Sequence, residues 1–302
     1  MSGDRAAHAA VHRIGLIGAG IGGSLSPALH EREAATLGLQ YRYRCLDIDD
    51  HDLSPDGAGD LMHRSIAAGY TGFNVTHPCK QVLLDECDEL SADARALGAV
   101  NTITLEGGRI VGDNTDHSGF ITGLRTGLQD VSLGRVAVLG AGGAGSAVAY
   151  GLLAAGARIV TVLDVDDDRR VALRDRLRGR FGPDRVATRA VAELPQVAEA
   201  ADGIVNATPI GMDGHPGVPC DPAVLISRHW VADVVYRPLE TEFLAAARTT
   251  GCAVVDGGAM LVAQAADTIA LLTGVTPDLA RMRAHLAELL ESGPMGQTPL
   301  AS

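Results

Sequence analysis

From Ile14 onward, short apolar runs alternate with turns and with stretches whose apolar positions recur at helical spacing. RIGLIG predicts a strand, PALHEREAATLG a helix ending at Gly38, YRYRCLDI a second strand, LMHRSIAAGY a helix and GFNV a short strand. After the stretch QVLLDECDELSADARALGA, the runs VNTITLE and RIVGDN flank the turn Gly107-Gly108 and predict two more strands. A second alternation starts at Val136. It runs through a helix to Ala155, the strand RIVTVLD, the helix DDRRVALRDRLRGRFG, a strand around RVATRA, the helix LPQVAEAA and the strand GIVNAT. HWVADVVY, the helix ETEFLAAARTTG and the strand CAVVDG complete it. Strands separated by helices of about 10–15 residues imply parallel βαβ units.

Two of the turns are glycine-rich. IGLIGAGIGGSLSP (Ile14 to Pro27) and VAVLGAGGAGSAVAYGLL (Val136 to Leu153) each end an apolar run in G-x-G-x-x-G, and an acid follows about 20 residues on, Asp47 and Asp164 respectively. A pyrophosphate site of this kind needs a helix that begins near the second glycine. Its N–H groups and dipole then face the phosphates, while the third glycine packs the helix on its strand. In the second motif, small and aliphatic helix formers follow Gly145 directly. In the first, a helix begun at Gly20 buries Pro27 in its interior, against the Gly23 carbonyl and without an N–H, at about 3 kcal/mol. Pro27 suits a first helical turn, with a serine before it as N-cap. The helix is therefore expected to start at Ser26-Pro27, leaving Gly18 to Ser24 as a loop. The dinucleotide is expected on Gly140, Gly142, Gly143, Ala144 and Gly145, with the ribose on Asp164.

An acid at Asp164 accepts hydrogen bonds from the ribose hydroxyls of NAD and repels the 2′-phosphate of NADP. Arg169 and Arg170 lie in the next predicted helix, so NAD is the expected cofactor. The run Asp164, Asp166, Asp168 fails as a calcium loop, because its sixth position is Arg169 and its twelfth Asp175. It reads as a solvated turn at a helix N-terminus.

The fold class expected is α/β. An N-terminal α/β substrate domain (1–118) precedes a Rossmann-type, doubly wound parallel-sheet dinucleotide domain (119–256). C-terminal helices (257–302) return to the first domain and end in a disordered tail, SGPMGQTPLAS. Composition narrows the partners. The 25 basic and 37 acidic residues give a net charge of −12, which argues against nucleic acid or anionic membrane as the main partner and leaves a small molecule. The five cysteines form no C-x-x-C pair, so no metal site or disulfide framework is expected. The start lacks an apolar signal region, and a cytoplasmic monomer or homodimer is expected.

Four segments are dense in hydrogen-bonding groups at turn positions: SLSP, NVTHPCK (Asn74 to Lys80), GAVNT (Gly98 to Thr102) and GDNTD (Gly112 to Asp116). Singly, each has a local explanation, such as a backbone cap or a surface lysine. Together, and followed by GAGGAG, NATPIGM (Asn206 to Met212), DVVY (Asp233 to Tyr236) and GAMLVAQAA (Gly258 to Ala266), they resemble the shikimate dehydrogenase family over about Gly15 to Gly274.

The resemblance implies oxidoreduction at the 3-hydroxyl of a polyhydroxylated ring carboxylate by hydride exchange with a nicotinamide. It implies that Ser24 and Ser26 hold the carboxylate. Thr76, Asn101, Asp116 and Gln264 would bind ring hydroxyls, with Asn74 and Tyr236 nearby, and Asn206, Thr208 and Gly257 would line the cofactor. Lys80 and Asp116 would flank the reacting hydroxyl. A lysine beside a carboxylate can be tuned to take the proton, and its charge stabilises a developing alkoxide, so Lys80 is the first choice. The biosynthetic NADP branch resembles N-R-T after the second strand of the nucleotide domain. Here Asp164-Val165-Asp166 stands in that place, and with Thr76-His77-Pro78 it is more similar to the NAD-dependent quinate/shikimate branch, which runs in the oxidative direction. His77 stands as either a third polar group or an exposed residue, and Cys79 as a packed small residue. The alternatives are a dehydrogenase of an amino-substituted ring acid, the NADP-dependent biosynthetic enzyme, and a non-catalytic nucleotide-binding relative.

Overall fold

The computed structural model describes residues 11–292, so the expectation for the tail from Gly293 on lies outside it. In chain order the first elements are β1 (Val11–Gly18), α1 (Ser26–Thr36), β2 (Gln40–Asp47), α2 (Ala58–Ala67), β3 (Gly72–Val75), β4 (Glu89–Leu90), α3 (Ala92–Leu97), β5 (Thr102–Glu106) and β6 (Arg109–Asp113). Next come α4 (Asp116–Gly127), β7 (Arg135–Leu139), α5 (Gly143–Ala154), β8 (Ile159–Asp164), α6 (Asp167–Phe181), β9 (Val186–Ala190), α7 (Leu194–Glu199) and β10 (Gly203–Asn206). The chain closes with β11 (Trp230–Asp233), α8 (Glu242–Thr250), β12 (Ala253–Val255), α9 (Gly257–Thr273) and α10 (Leu279–Glu291).

The protein divides into two compact units. The first comprises the described residues of Met1–Leu90, Val100–Asp113 and Thr268–Ser302; the second comprises Ser91–Ala99 and Asn114–Asp267. Compactness thus interleaves segments that alternation alone assigns to consecutive stretches. Within the second unit, α3 is tied down by Tyr150, whose hydroxyl donates to Asp93, and by Arg176 Nη1 donating to the Leu97 carbonyl at 2.7 Å. The boundary between the units in the C-terminal part falls inside α9, so a long helix and not a loop carries the chain from one to the other.

The first unit holds a six-stranded sheet in the order β2-β1-β3-β5-β6-β4. β1 pairs parallel with β2 and β3, as βαβ alternation requires, whereas β5 lies antiparallel to β3 and β6 antiparallel to β5. The mixed sheet follows from the two-residue Gly107-Gly108 link, which is too short for a parallel crossover and has positive φ at both positions, as a hairpin turn needs. β2 alternates, with Tyr41 and Tyr43 buried and Arg42 and Arg44 outward. Helix α10 is fastened to α1 by Glu33, which is fully buried and accepts from Arg281 Nε at 2.9 Å, Arg281 Nη2 at 2.5 Å and the Asp278 N–H at 3.1 Å.

The second unit holds a wholly parallel sheet in the order β12-β11-β10-β7-β8-β9, the doubly wound order with its reversal between β7 and β10. Along β7, Val136 and Val138 face one core layer and Ala137 and Leu139 the other, so both faces are covered, as parallel sheets demand.

Candidate active site

The two glycine loops have opposite fates. Helix α1 begins at Ser26 with Pro27 in its first turn, where its missing N–H costs nothing. The N-cap position itself is Leu25, without a side-chain cap; the serine that assists is Ser24, whose Oγ accepts from the Ser26 N–H at 3.2 Å. In the loop between, Asp47 folds back from the end of β2. Its Oδ1 accepts from the Gly20 N–H at 3.0 Å and its Oδ2 from the Ile21 N–H at 2.7 Å. Asp47 is 7% exposed. A carboxylate of the protein itself thus takes the N–H groups of the second glycine of this motif and of the residue after it, where a phosphate would otherwise bind.

In the second loop the acid reaches one position earlier. Asp164 Oδ2 accepts from the Ala141 N–H at 2.6 Å, and Oδ1 accepts from the Asp166 N–H at 2.9 Å. Helix α5 then starts at Gly143, with Gly142 as an N-cap that offers no side-chain oxygen. A Cβ built on Gly142 or Gly143 meets nothing within 4 Å, whereas one on Gly145 lies 2.0 Å from the Gly140 carbonyl oxygen. The second and third glycines therefore serve different ends: open backbone at the helix start, and close packing of α5 on the β7 turn. These features fit a dinucleotide pyrophosphate at the start of α5.

Downstream of Asp164, Asp166 caps α6 by accepting from the Arg169 N–H at 3.0 Å, as its position at a helix start suggests. Arg169 Nε lies 3.2 Å from Asp166 Oδ2 and Arg170 Nη2 lies 2.5 Å from Asp167 Oδ1, so both arginine charges are already matched by acids.

In the first unit the polar segments gather at the carboxyl ends of β1 and β3. The Ala19 N–H donates to the His77 carbonyl at 3.0 Å and the Thr76 N–H to the Ile17 carbonyl at 2.9 Å, bringing the Ser24-bearing and Thr76-bearing loops side by side. Ser24, Ser26, Thr76 and Lys80 are half-buried. The Lys80 carbonyl accepts from the Val100 N–H at 2.9 Å, which holds the lysine turn against the GAVNT segment. Asn101 and Asn74 are buried, at 3% and 6% exposure. His77 is exposed. Cys79 is fully buried, and burial, with Asp47 adding to it, pushes its thiol up to about 11; it is a packed residue rather than a nucleophile.

In the second unit Asp116 opens α4, buried, its N–H donating to Asn114 Oδ1 at 3.1 Å. Gln264 is half-buried on α9, its Nε2 donating to the Leu261 carbonyl at 3.1 Å. Asn206 is fully buried and its amide is engaged within the protein. Nδ2 donates to Asp233 Oδ1 and the Ile210 carbonyl, both at 3.0 Å, and Oδ1 accepts from the Thr208 N–H at 3.1 Å and hydroxyl at 2.7 Å. Asn206 thus fastens the loop that carries Thr208. Asp233 completes the clasp by accepting from the Val235 N–H and the Thr241 hydroxyl, each at 2.9 Å. Burial raises the Asp233 carboxyl and those hydrogen bonds oppose the rise. Gly257 begins α9 where a Cβ would lie 2.3 Å from the Val234 carbonyl oxygen, a packing reason for glycine at that position. Tyr236 is half-buried, and its hydroxyl is raised by burial.

Sequence reasoning missed the residues behind Asn74. Tyr43, Thr102 and Thr268 converge on its side chain. The available signal was Tyr43 on the inward register of an alternating strand, since a buried tyrosine hydroxyl requires a partner.

Comparison with known proteins agrees with this architecture. The model of the shikimate dehydrogenase substrate binding domain matches residues 16–103. Over 277 residues the chain is 50% identical to the protein of Pseudarthrobacter chlorophenolicus named shikimate dehydrogenase (NADP(+)), covering 92% of this chain and 94% of that one. It is 43% identical over 271 residues to the quinate/shikimate dehydrogenase (NAD(+)) of Corynebacterium glutamicum, covering 89% of this chain and 96% of that one. The structure of quinate dehydrogenase from Corynebacterium glutamicum in complex with NAD has a TM-score of 0.86 to it at 42% identity, covering 92% of this chain and 99% of that one. With such identity over nearly the whole length of both chains, and with a doubly wound sheet bearing an open glycine loop, the chain belongs to the shikimate dehydrogenase family of oxidoreductases.

Proposed function

We propose that the protein catalyses the NAD-dependent oxidation of quinate, shikimate or both at the 3-hydroxyl. The observation that carries the choice of NAD is the environment of Asp164. A carboxylate ends β8, and the two nearest arginines downstream are paired with Asp166 and Asp167. A 2′-phosphate placed beside Asp164 meets like charge, and recruiting either arginine requires breaking an existing ion pair. The NAD-complexed quinate dehydrogenase with 42% identity supports the same reading. The relative named shikimate dehydrogenase (NADP(+)), at 50% identity, favours the second reading, an NADP-dependent shikimate dehydrogenase.

The bound nicotinamide supplies the hydride acceptor. The chain's own residues supply the rest. Ser24 and Ser26 hold the ring carboxylate through their hydroxyls. Thr76, Asn101, Asp116 and Gln264 fix ring hydroxyls. Lys80 Nζ takes the hydroxyl proton as the C–H bond breaks, and its charge then stabilises the oxygen left behind. Asn206 and Asp233 act at one remove, by holding the loop of Thr208 in place.

A matrix of initial rates tests the reading: quinate, shikimate and their amino analogues, each with NAD and with NADP. The expected result is NAD reduction with at least one of the two hydroxy acids and a kcat/KM for NADP lower by tenfold or more, about 1.4 kcal/mol. Equal or better rates with NADP give the second reading. Lys80→Ala is expected to lower kcat by about 10²–10⁴ with the nucleotide Kd unchanged; near-native kcat removes Lys80 from its role.

A further inference from the structure

Behind the Asn101 side chain, the first unit contains a set of buried hydrogen bonds that leads from Tyr43 to the Asn101 amide. The Tyr43 hydroxyl donates to Asn74 Oδ1 at 2.9 Å. Asn74 Nδ2 donates one N–H to the Asn101 backbone carbonyl at 3.1 Å, and Thr102 Oγ1 and Thr268 Oγ1, each at 3.3 Å, share the other. Thr102 Oγ1 donates to Asn101 Oδ1 at 3.0 Å and lies 3.1 Å from Thr268 Oγ1. Tyr43, Thr102 and Thr268 are at most 1% exposed.

The polarity of this set follows from donor counting. A backbone carbonyl only accepts, so the end of Asn74 facing the Asn101 carbonyl is its NH2, and the end facing Tyr43 is its oxygen. Tyr43 therefore donates. It remains a donor throughout the working pH range, because burial holds its ionisation well above that of an ordinary phenol. Thr102 has one proton. It accepts from Asn74 and gives that proton to Asn101 Oδ1, so the carbonyl end of the Asn101 amide is turned toward Thr102 and the NH2 end is turned the other way. An Asn in a loop without such a relay flips between two nearly isosteric orientations, one a donor and one an acceptor.

We propose that Tyr43, Asn74, Thr102 and Thr268 are positioning residues that lock the Asn101 amide as a hydrogen-bond donor to the ring substrate. The selected partner is an acceptor oxygen at the ring position Asn101 touches, and a protonated amine at that position is rejected. The inference rests on the proposed role of Asn101 in holding a ring hydroxyl. It adds the class of substituent that the position accepts. A site built to donate to an oxygen discriminates strongly against a group that only donates, because both are then left unpaired on binding.

Thr102→Val tests this, since valine matches threonine in shape and lacks the hydroxyl that orders Asn101. Thr102→Ser restores the hydroxyl. Tyr43→Phe acts from the far end of the relay and serves if Thr102→Val folds poorly. The full-length enzyme is assayed for kcat and for the KM of ring acid and nucleotide separately, with quinate, shikimate and analogues carrying an amino group in place of one ring hydroxyl. The wild type is expected to reject at least one amino analogue by tenfold or more in kcat/KM. Thr102→Val should raise the KM of the hydroxy acid about tenfold with kcat and nucleotide KM nearly retained, and should shrink that discrimination. Serine should restore KM to within about twofold, and Tyr43→Phe should raise KM about threefold. An active wild type with folded Thr102→Val and Tyr43→Phe variants of unchanged ring-acid KM overturns the inference and leaves the functional reading intact. So does equal use of all amino analogues by the wild type. A wild type inactive on every ring acid removes the functional reading and the inference with it.

Discussion

Gly142 and Gly145 belong to one motif, yet the structure predicts opposite consequences for replacing them. At Gly145 a Cβ lies 2.0 Å from the Gly140 carbonyl oxygen, about 1.3 Å short of the closest ordinary C···O approach of about 3.3 Å. Backbone blocks it, so α5 must move away from the β7 turn. Overpacking of this kind costs about 1–3 kcal/mol, which for a protein of this size corresponds to a Tm lower by about 2–12 °C. At Gly142 a side chain meets no atom within 4 Å, and the residue, at φ −73° and ψ −166°, is in extended backbone that any amino acid adopts. Gly142→Ser therefore folds. It also supplies α5 with the side-chain cap that it lacks, worth a few tenths of a kcal/mol, so Tm should hold or rise by about 1 °C. The same hydroxyl occupies donors in the first turn of α5 that a pyrophosphate needs. Losing one charge-assisted hydrogen bond costs about 1.5–3 kcal/mol, a nucleotide KM raised about 10–150-fold.

The assay is a thermal melt of each variant without ligand, set beside the nucleotide KM at saturating ring acid. Gly142→Ser should separate the two readouts, with stability retained and nucleotide affinity lost. Gly145→Ala should lower stability before anything else. If Gly142→Ser keeps a native nucleotide KM, the pyrophosphate does not lie over the start of α5. If Gly145→Ala melts at the native temperature, the packing argument for the third glycine is refuted.

Asp47→Ala strips the Gly20 and Ile21 N–H groups of their acceptor and should destabilise by about 1–3 kcal/mol in chemical denaturation while leaving the nucleotide KM alone; a nucleotide effect would place a cofactor at the first loop. Asp164→Asn keeps an oxygen for the Ala141 N–H and removes the charge, so the ratio of kcat/KM for NAD to that for NADP should fall about tenfold or more, and an unchanged ratio argues against a ribose role. His30 is fully buried beside Tyr41, and burial lowers its pKa from 6.5 to about 3. The unfolded chain therefore binds a proton that the native protein excludes, and stability present above pH 6.5 is lost as the pH falls toward 3, at about 1.4 kcal/mol per pH unit. His30→Gln should flatten the acid limb of the unfolding free energy by that slope in urea titrations, and identical slopes would show that His30 does not govern it.

What was legible in the sequence was whatever a local rule constrains. Pro27 forbids a helix through the first glycine motif wherever the rest of the chain goes, so the start of α1 followed from one residue. The doubly wound sheet followed from alternation, because a parallel strand requires a crossover and four of the five crossovers here carry a helix, α5, α6, α7 and α8; the one from β10 to β11 does not. The mixed character of the first sheet was equally available in the Gly107-Gly108 link, although the surrounding βαβ rhythm masks it. Not legible was anything that depends on which way a side chain turns. Asp47 and Asp164 occupy equivalent places after equivalent motifs, and spacing assigns them one role. Their carboxylates differ by a single step along the loop. Asp164 takes the N–H of the residue before the second glycine, while Asp47 takes that of the second glycine, Gly20, and of the residue after it.

That single step has a general consequence for the way a fold of this kind separates its two units' tasks. A strand-turn-helix with a trailing acid offers a ring of N–H groups that must be satisfied by something. When the acid reaches far enough, the protein satisfies them itself and the loop becomes rigid scaffold. In the first unit that scaffold presents Ser24 and stands against the Thr76 turn through the Ala19 to His77 hydrogen bond. When the acid stops short, the helix start stays exposed and polar, as at Gly142 and Gly143, where the proposed reading puts the pyrophosphate. The buried Asn74 and Asn206 follow the same logic on the scale of side chains. Each is engaged internally on both ends of its amide, so each transmits a fixed orientation to a neighbour, Asn101 in one unit and Thr208 in the other. Polar residues in a dehydrogenase motif are therefore of two kinds, those that meet the ligand and those that aim them. The donor count of each buried amide, more than its place in the motif, tells the two apart.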